Sequence, residues 1–278
     1  MRRINLWLLV LLTLIAAPYY WFLIDRSAIS IKAKPLDIGQ LRGLAASVPG
    51  ALPTQVRYEI VGTRGVSGNL VTAGAGVMEM NLEILAFQII TPKQPAVTID
   101  AGLRPDLVER FGLSHYSKAA QRNVDLAIAQ AGKAVTLGGY ALHPEASKSA
   151  ARRESVAAKA AAPHAIAPGI VAIPIGGMPA GTQMLFVHTS DGREYLFTGD
   201  VAPIPQSWKR TTPPARWIAS RDPRVDRAEI VSWLKTIRAL KKRTPSLFIV
   251  EGSDRMLPAP FAKGFLVPLD NMSQARTR

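Results

Sequence analysis

Few side chains in this sequence could carry acid–base or metal chemistry, and most of those that could stand at the ends of apolar runs. Asp200 closes the run Glu194–Gly199, with Thr198-Gly199 just before the carboxylate. Asp100 ends a second run in the same way, and Ser253-Asp254 follow a third, the stretch SLFIVEG. Four histidines complete the set: His115, His143, His164 and His188. Carboxylates and imidazoles delivered to strand tips are the donors of a divalent-metal site, in which the ion activates a water for hydrolysis. Ser253 beside Asp254, with His143 across a cleft, is the other chemistry available, a serine nucleophile for acyl transfer. The 278 residues include no cysteine, which excludes disulfides, thiolate metal sites and thiol nucleophiles. A Gly-x-Ser-x-Gly elbow, a P-loop and a dinucleotide-binding glycine motif are also absent.

The elements that must position these residues alternate between strand and helix. Gln55–Val66 has the alternation and β-branching of a strand, and a Gly-rich stretch from Gly68 to Gly76 follows it. Two apolar strands joined by the turn Thr91–Pro95 make a hairpin that ends at Asp100. A helix is expected from Ser117, its cap, to Gly132, with Ala120, Val124, Ile128 and Ala131 on one face. The alanine-rich stretch 147–162 is also expected to be helical. A second hairpin turns at Ser190-Asp191-Gly192 and ends at Asp200. The proline-rich segment from Val201 to Arg221 is expected to be largely loop. A helix follows, with Asp222 at its cap, Pro223 in its first turn and Ile230, Leu234 and Ile237 facing inward. His188 falls within a strand, His164 on a surface loop and His115 just before a helix. The expected fold class is α/β with mixed sheets, in one domain of about 220 residues.

The N-terminus is of a different kind. Arg2 and Arg3 precede an apolar run from about Ile4 to Ile24, which Asp25 and Arg26 close. About 20 such residues cross a hydrocarbon core of ~30 Å. The paired arginines favour the cytoplasmic side, which sends the rest of the chain to the non-cytoplasmic, periplasmic side. Ala16-Ala17 is followed by Pro18, a poor cleavage junction, so an uncleaved anchor is favoured over a removed signal peptide. The expected organisation is an anchor over 1–26, a connector with a short helix over 27–54, a folded domain over 55–268 and a flexible tail over 269–278. Hydrophobic residues at 48% fit a globular domain, and the net charge of +14 is scattered. It matches no nucleic-acid module and reads as a solvated basic face near anionic lipid headgroups.

In this order, the segments VTIDAG, LGGYALHPEAS, PIGGMPAGTQM, LFTGD and FIVEGSD resemble the metallo-β-lactamase fold family over roughly Arg57 to Asp254. The resemblance implies a four-layered αββα sandwich whose edge loops hold one or two zinc ions. It also implies a seat for each ligand. Gly138 and Tyr140 stand where the first two histidines belong, Leu142 at the aspartate that orients the attacking water, and His143 at a matching histidine. Met178 takes the place of the later histidine, Asp200 that of the bridging aspartate, and Ser253 that of the final histidine. Asp100 and Asp254 are the supporting positions.

Only His143 and Asp200 keep a donor of the family's type, and a hydrolytic zinc needs about three protein ligands plus water. The expectation is therefore a degenerate, metal-free site in a membrane-held binding or scaffolding domain, with a small ligand or another envelope protein as partner. The alternative is an esterase, lactonase or phosphodiesterase with a depleted or single-zinc site on His143 and Asp200. A third reading makes the proline-rich loop, with Trp208 and Trp217, the contact surface for a partner subunit.

Overall fold

The computed structural model describes residues 2–27, 31–138, 162–253 and 261–266. The expected alanine-rich helix lies almost wholly outside these residues, as does the C-terminal tail. In chain order the elements begin with α1 (Arg2–Tyr19), which runs on as a π-helical turn over Tyr20–Ile24, and α2 (Ile38–Ser47). Next come β1 (Gln55–Ser67), α3 (Gly68–Val71), β2 (Glu79–Ile90), β3 (Val97–Ile99), β4 (Leu113–Tyr116), α4 (Lys118–Gln130) and β5 (Lys133–Val135). The second half holds β6 (His164–Ala167), β7 (Ile170–Pro174), β8 (Gln183–His188), β9 (Glu194–Gly199), α5 (Pro205–Lys209) and α6 (Arg216–Ala219). It closes with α7 (Arg227–Arg243), β10 (Phe248–Glu251) and β11 (Ala262–Lys263).

Among the described residues the strands form two mixed sheets. One has the order β11-β1-β2-β3-β5, with β4 also on β1, and the other runs β10-β9-β8-β7-β6. The parallel pairs are β1/β11, β3/β5 and β9/β10. The long antiparallel β1/β2 ribbon carries a bulge between Ile60 and Gly62.

Strand alternation builds the layers. On β8, Leu185 and Val187 face the other sheet, together with Phe197 of β9 and Phe87 of β2. Met184 and Phe186 point the opposite way, onto Leu234 and Ile237 of α7 and Leu41 of α2. Both faces of these central strands are covered, so they read as nearly continuous apolar runs. Beyond the first sheet, Val124 and Ile128 of α4 cover Val61, Ala86 and Leu103. The result is a four-layer αββα sandwich. Each fully buried Leu, Ile or Phe contributes about 1.5–3 kcal/mol.

Several local expectations need correction. The last long helix begins at Asp226 rather than Asp222: the Asp226 carboxylate accepts from the amides of Ala228 and Glu229. Asp222 is held instead in a tight turn by Arg224, whose Nε and Nη2 lie 2.8 and 2.7 Å away. The proline-rich stretch is not only loop, because α5 and α6 lie within it. His164 opens β6, and His115 lies on β4. The 27–54 segment is more than a tether. Leu36, Leu41 and Ala45 are buried in the core under α7, and Arg42 grips the buried Glu194 through two bonds of 2.6 and 2.9 Å.

The N-terminal helix is long and apolar enough to cross a membrane. Over Asn5–Ile24 its mean hydropathy is 2.0, and none of its most apolar window is buried. Its end is fastened to the sandwich. Asn69 donates to the Tyr19 hydroxyl at 2.9 Å, and the Gly74 amide donates to the Leu23 carbonyl at 2.9 Å. Asp25, only 5% exposed, receives Arg216 Nε at 2.7 Å, and Arg227 donates to its carbonyl at 2.6 Å. Burial alone would push the Asp25 carboxyl up. The Ser27 hydroxyl and amide together with Arg216 outweigh it and hold the group below the usual carboxylate range.

Candidate functional site

The site is assembled where strands end. β3 stops at Asp100, a residue with left-handed backbone (φ 57°) that aspartate tolerates better than most side chains. This buried carboxylate accepts from the Leu137 amide at 2.9 Å, and the Asp100 amide bonds the Val135 carbonyl at 2.8 Å. From the second sheet, Gln183 donates its amide to the Leu137 carbonyl at 2.9 Å and its side chain to the Thr136 carbonyl at 2.8 Å. Four bonds thus fix the chain just before the segment that begins at Gly138. Gly138 itself is buried.

Beside it, β9 and β10 end in closely nested backbone. Gly199 has φ 51°, and a Cβ added at Gly252 would lie 2.5 Å from the Gly199 carbonyl oxygen. This contact leaves Asp200 and Ser253 side by side at the loop edge. Ser253 is held there by its amide on the Pro203 carbonyl (3.0 Å) and its carbonyl on the Glu83 amide (3.1 Å).

Asp200, Met178 and Ser253 come together on one cavity of about 200 Å³. Arg64 of β1 and Ser207 of α5 line the same cavity. A smaller void of about 40 Å³, room for one water molecule, is bounded by Arg64, Glu83, Asp200 and Ser253. Three of the expected positions are thus placed together. Tyr140, Leu142, His143 and Asp254 lie outside the described residues.

Sequence reasoning missed Arg64, Glu83 and Ser207. Arg64 is half-buried, and its guanidinium carbon lies 5.8 Å from the centre of the Phe111 ring. Among the described residues no carboxylate pairs with it. Ser207 is 2% exposed, and among the described residues its hydroxyl has no hydrogen-bond partner. Glu83 is buried and accepts from the Thr63 hydroxyl at 2.8 Å. Nothing in the sequence set Arg64 and Glu83 apart, because β1 and β2 carry other charges, Arg57, Glu59 and Glu79 among them. Ser207 gave no signal among the prolines.

The described residues do not fit a zinc centre. Among them no group of three or more His, Asp or Glu side chains could hold a metal ion. His115 is exposed on β4, paired with Thr63. His188 ends β8 opposite Glu194, and the His164 ring lies 3.1 Å from the Ala162 carbonyl. None of the three lines the cavity that holds Asp200. On the cavity with that carboxylate are the Arg64 guanidinium, the Met178 thioether and the hydroxyls of Ser207 and Ser253.

Trp208 is not an exposed anchor. It is buried, and its indole N–H donates to Glu251 at 2.6 Å, tying α5 to β10. Trp217 remains 42% exposed, with its ring edge-on to Phe22 at 6.2 Å.

No protein-family model matches this sequence, and no curated protein matches it. Solved structures do match its fold. An N-acyl homoserine lactone lactonase superposes with a TM-score of 0.58 at 14% identity, covering 73% of this chain and 93% of that one. An N-acyl homoserine lactone hydrolase with N-hexanoyl-L-homoserine at its catalytic metal centre gives 0.57 at 14% identity, covering 73% and 94%. A probable metal-dependent hydrolase from Staphylococcus aureus gives 0.53 at 12% identity, covering 74% and 91%. The chain has the metallo-β-lactamase fold.

Proposed function

We propose that this protein is a membrane-anchored, non-cytoplasmic binding domain built on the metallo-β-lactamase fold. Its edge cavity takes a small ligand in place of a zinc-bound substrate. The observation that carries this reading is Arg64 on the cavity that holds Asp200. A dication held by Asp200 would share this cavity with the Arg64 guanidinium, whose like charge disfavours it. One carboxylate and one histidine, His143, would have to offset that and still anchor the ion. With no metal, the carboxylate, the guanidinium and the hydroxyls of Ser207 and Ser253 are a ready set of partners for a polar ligand. The retained anchor is supported by the fastening of Tyr19, Leu23 and Asp25 to the sandwich. A helix destined for removal has no need of such contacts.

Metal analysis of the purified full-length protein tests the reading. Zinc well below one equivalent is expected, with no zinc-dependent turnover of esters, lactones or phosphodiesters. Stoichiometric zinc would reject it. The second reading, a metallo-hydrolase with a depleted site on His143 and Asp200, is favoured by the hydrolase names of the structural neighbours. It predicts turnover that zinc restores after chelation and that Asp200→Ala abolishes.

A further inference from the structure

We propose that the cavity holding Asp200 opens at the membrane surface and takes a single-chain amphiphile with an anionic head from the bilayer. This rests on reading α1 as a retained anchor and the cavity as a binding site. The first observation is the double role of two short helices. α3 and the loop after it hold the end of the apolar helix, through Asn69 to Tyr19 and Gly74 to Leu23. α6 does the same through Arg216 to Asp25 and through Trp217 against Phe22. Yet Leu70 and Val71 of α3 and Ile218 of α6 also line the cavity. The wall of the cavity is therefore the seat of the anchor.

The second observation is where apolar side chains remain in contact with solvent. Beyond the N-terminal helix and its π-turn, the exposed large hydrophobics among the described residues are Leu70, Val77, Met78, Trp217 and Leu266. All but Leu266 belong to the two segments that clamp the helix. Leu70 is both 38% exposed and part of the cavity lining, which puts the mouth on this face. Arg216 and Arg221 lie over the Trp21 and Trp217 rings at 4.0 and 3.3 Å. Tryptophan with arginine beside an apolar span is the chemistry of a lipid headgroup layer. With a 20-residue apolar helix leaving the same face, the occupant of that face is the bilayer itself.

The third observation is the polar part of the lining. Among the described residues Ser207 presents a buried hydroxyl with no partner and Arg64 a charge that no carboxylate pairs with. Asp200 lies on the same lining and repels an anion, so the head must sit on Arg64 and Ser207 and away from Asp200. An unsatisfied buried hydroxyl carries a free-energy cost. A ligand head that accepts from Ser207 and pairs with Arg64 removes that cost, while its chain lies between Leu70, Leu82 and Ile218. A cavity of about 200 Å³ is smaller than the ~300–1,000 Å³ of drug-sized sites. It therefore takes a small head and the first part of one chain, the rest of which stays in the bilayer, rather than a two-chain lipid. A carboxylate or a phosphate head would serve equally.

The test uses the full-length protein in nanodiscs of phosphatidylcholine and phosphatidylglycerol, with cis-parinaric acid as the fluorescent probe. Saturable binding is expected, displaced by oleate or by lysophosphatidylglycerol and not by butyrate. Whichever of the first two competes better identifies the head. Arg64→Gln is expected to weaken binding tenfold or more, and Arg64→Lys to recover most of that loss. Leu70→Glu, a charge at the mouth, should weaken binding comparably with the circular dichroism spectrum unchanged. Wild-type protein that does not bind the probe overturns the proposal. So does Arg64→Gln binding like wild type, or Arg64→Lys binding no better than Arg64→Gln. Stoichiometric zinc with binding intact would sink the metal-free reading and leave this one standing. Zinc-free protein that ignores the probe would do the reverse.

Discussion

Gly199 and Gly252 set the geometry of the site more tightly than any titratable residue does. With Gly199 at φ 51° and no side chain at 252, the ends of β9 and β10 come into direct backbone contact, and Asp200 and Ser253 are delivered together. Gly252→Ala places a methyl group 2.5 Å from the Gly199 carbonyl oxygen, a clash with backbone rather than with a movable side chain. Overpacking of this kind costs about 1–3 kcal/mol. Urea denaturation should show a lower midpoint of that size at an unchanged slope, with Gly43→Ala milder because its backbone is helical and no atom lies within 4 Å of its added Cβ. Met178, Asp200 and Ser253 were legible through the resemblance of PIGGMPAGTQM, LFTGD and FIVEGSD to the loop edge of the metallo-β-lactamase fold, and Asp200 also because it closes an apolar strand. Arg64, Glu83 and Ser207 were not. The sequence does not reveal that β1 and β2 pair over so many residues and pass a bulge before they reach this edge. That register, and not local pattern, decides which of their charges meet Asp200.

At the scale of elements, helix periodicity was a reliable guide and capping a partial one: Ser117 caps α4 as expected, accepting from the Ala120 amide, while the cap of the last long helix lies elsewhere. The inward stripe Ile230, Leu234 and Ile237 is fully packed, since burial of one face is what stabilises an amphipathic helix. The start of that helix was displaced by one turn because Asp222-Pro223 and Asp226 are both plausible caps, and only hydrogen bonds distinguish them. Asp226→Ala removes a carboxylate that accepts from two first-turn amides and should cost about 1 kcal/mol. Asp222→Ala breaks a local pair with the well-exposed Arg224 and should shift the thermal midpoint little. Equal losses from the two variants would contradict the assigned cap. α5 and α6 escaped notice because prolines dominate their neighbourhood, although proline in the first turn of a helix is well tolerated, as Pro205 shows. The cost of missing α5 was to leave Trp208 as a surface anchor. Trp208→Phe keeps most of the packing but takes the indole donor from the buried Glu251. It should destabilise the fold by roughly 1–3 kcal/mol.

For the whole molecule, the question is whether the apolar helix and the sandwich move as one body. Their junction turns on Asp25, which is nearly buried and bound by Ser27 and Arg216, while Arg227 bonds its carbonyl. The sequence placed Asp25 only as the polar stop of an apolar run; its partners lie some 190 and 200 residues further on, where local pattern carries no information. Because the folded carboxyl sits below its ordinary value, the bound state takes up protons less readily than the free one. The stabilisation is therefore complete above the ordinary aspartate value of about 3.9. It fades as the pH falls through the lower, folded value. Hydrogen exchange should detect this at the Gly74 amide, which bonds the Leu23 carbonyl across the junction. Its protection in membrane-reconstituted protein should hold constant from neutral pH down to mild acid and drop only in strong acid, once the intrinsic exchange rate is divided out. Asp25→Asn should lower that protection at neutral pH and make it nearly independent of pH, because the group that titrates is gone while Arg216 keeps only a neutral acceptor. Protection that declines already between pH 7 and 5 would assign the junction to some other group. Unchanged protection in Asp25→Asn would mean that the helix is held by its apolar packing and the Tyr19 contact alone.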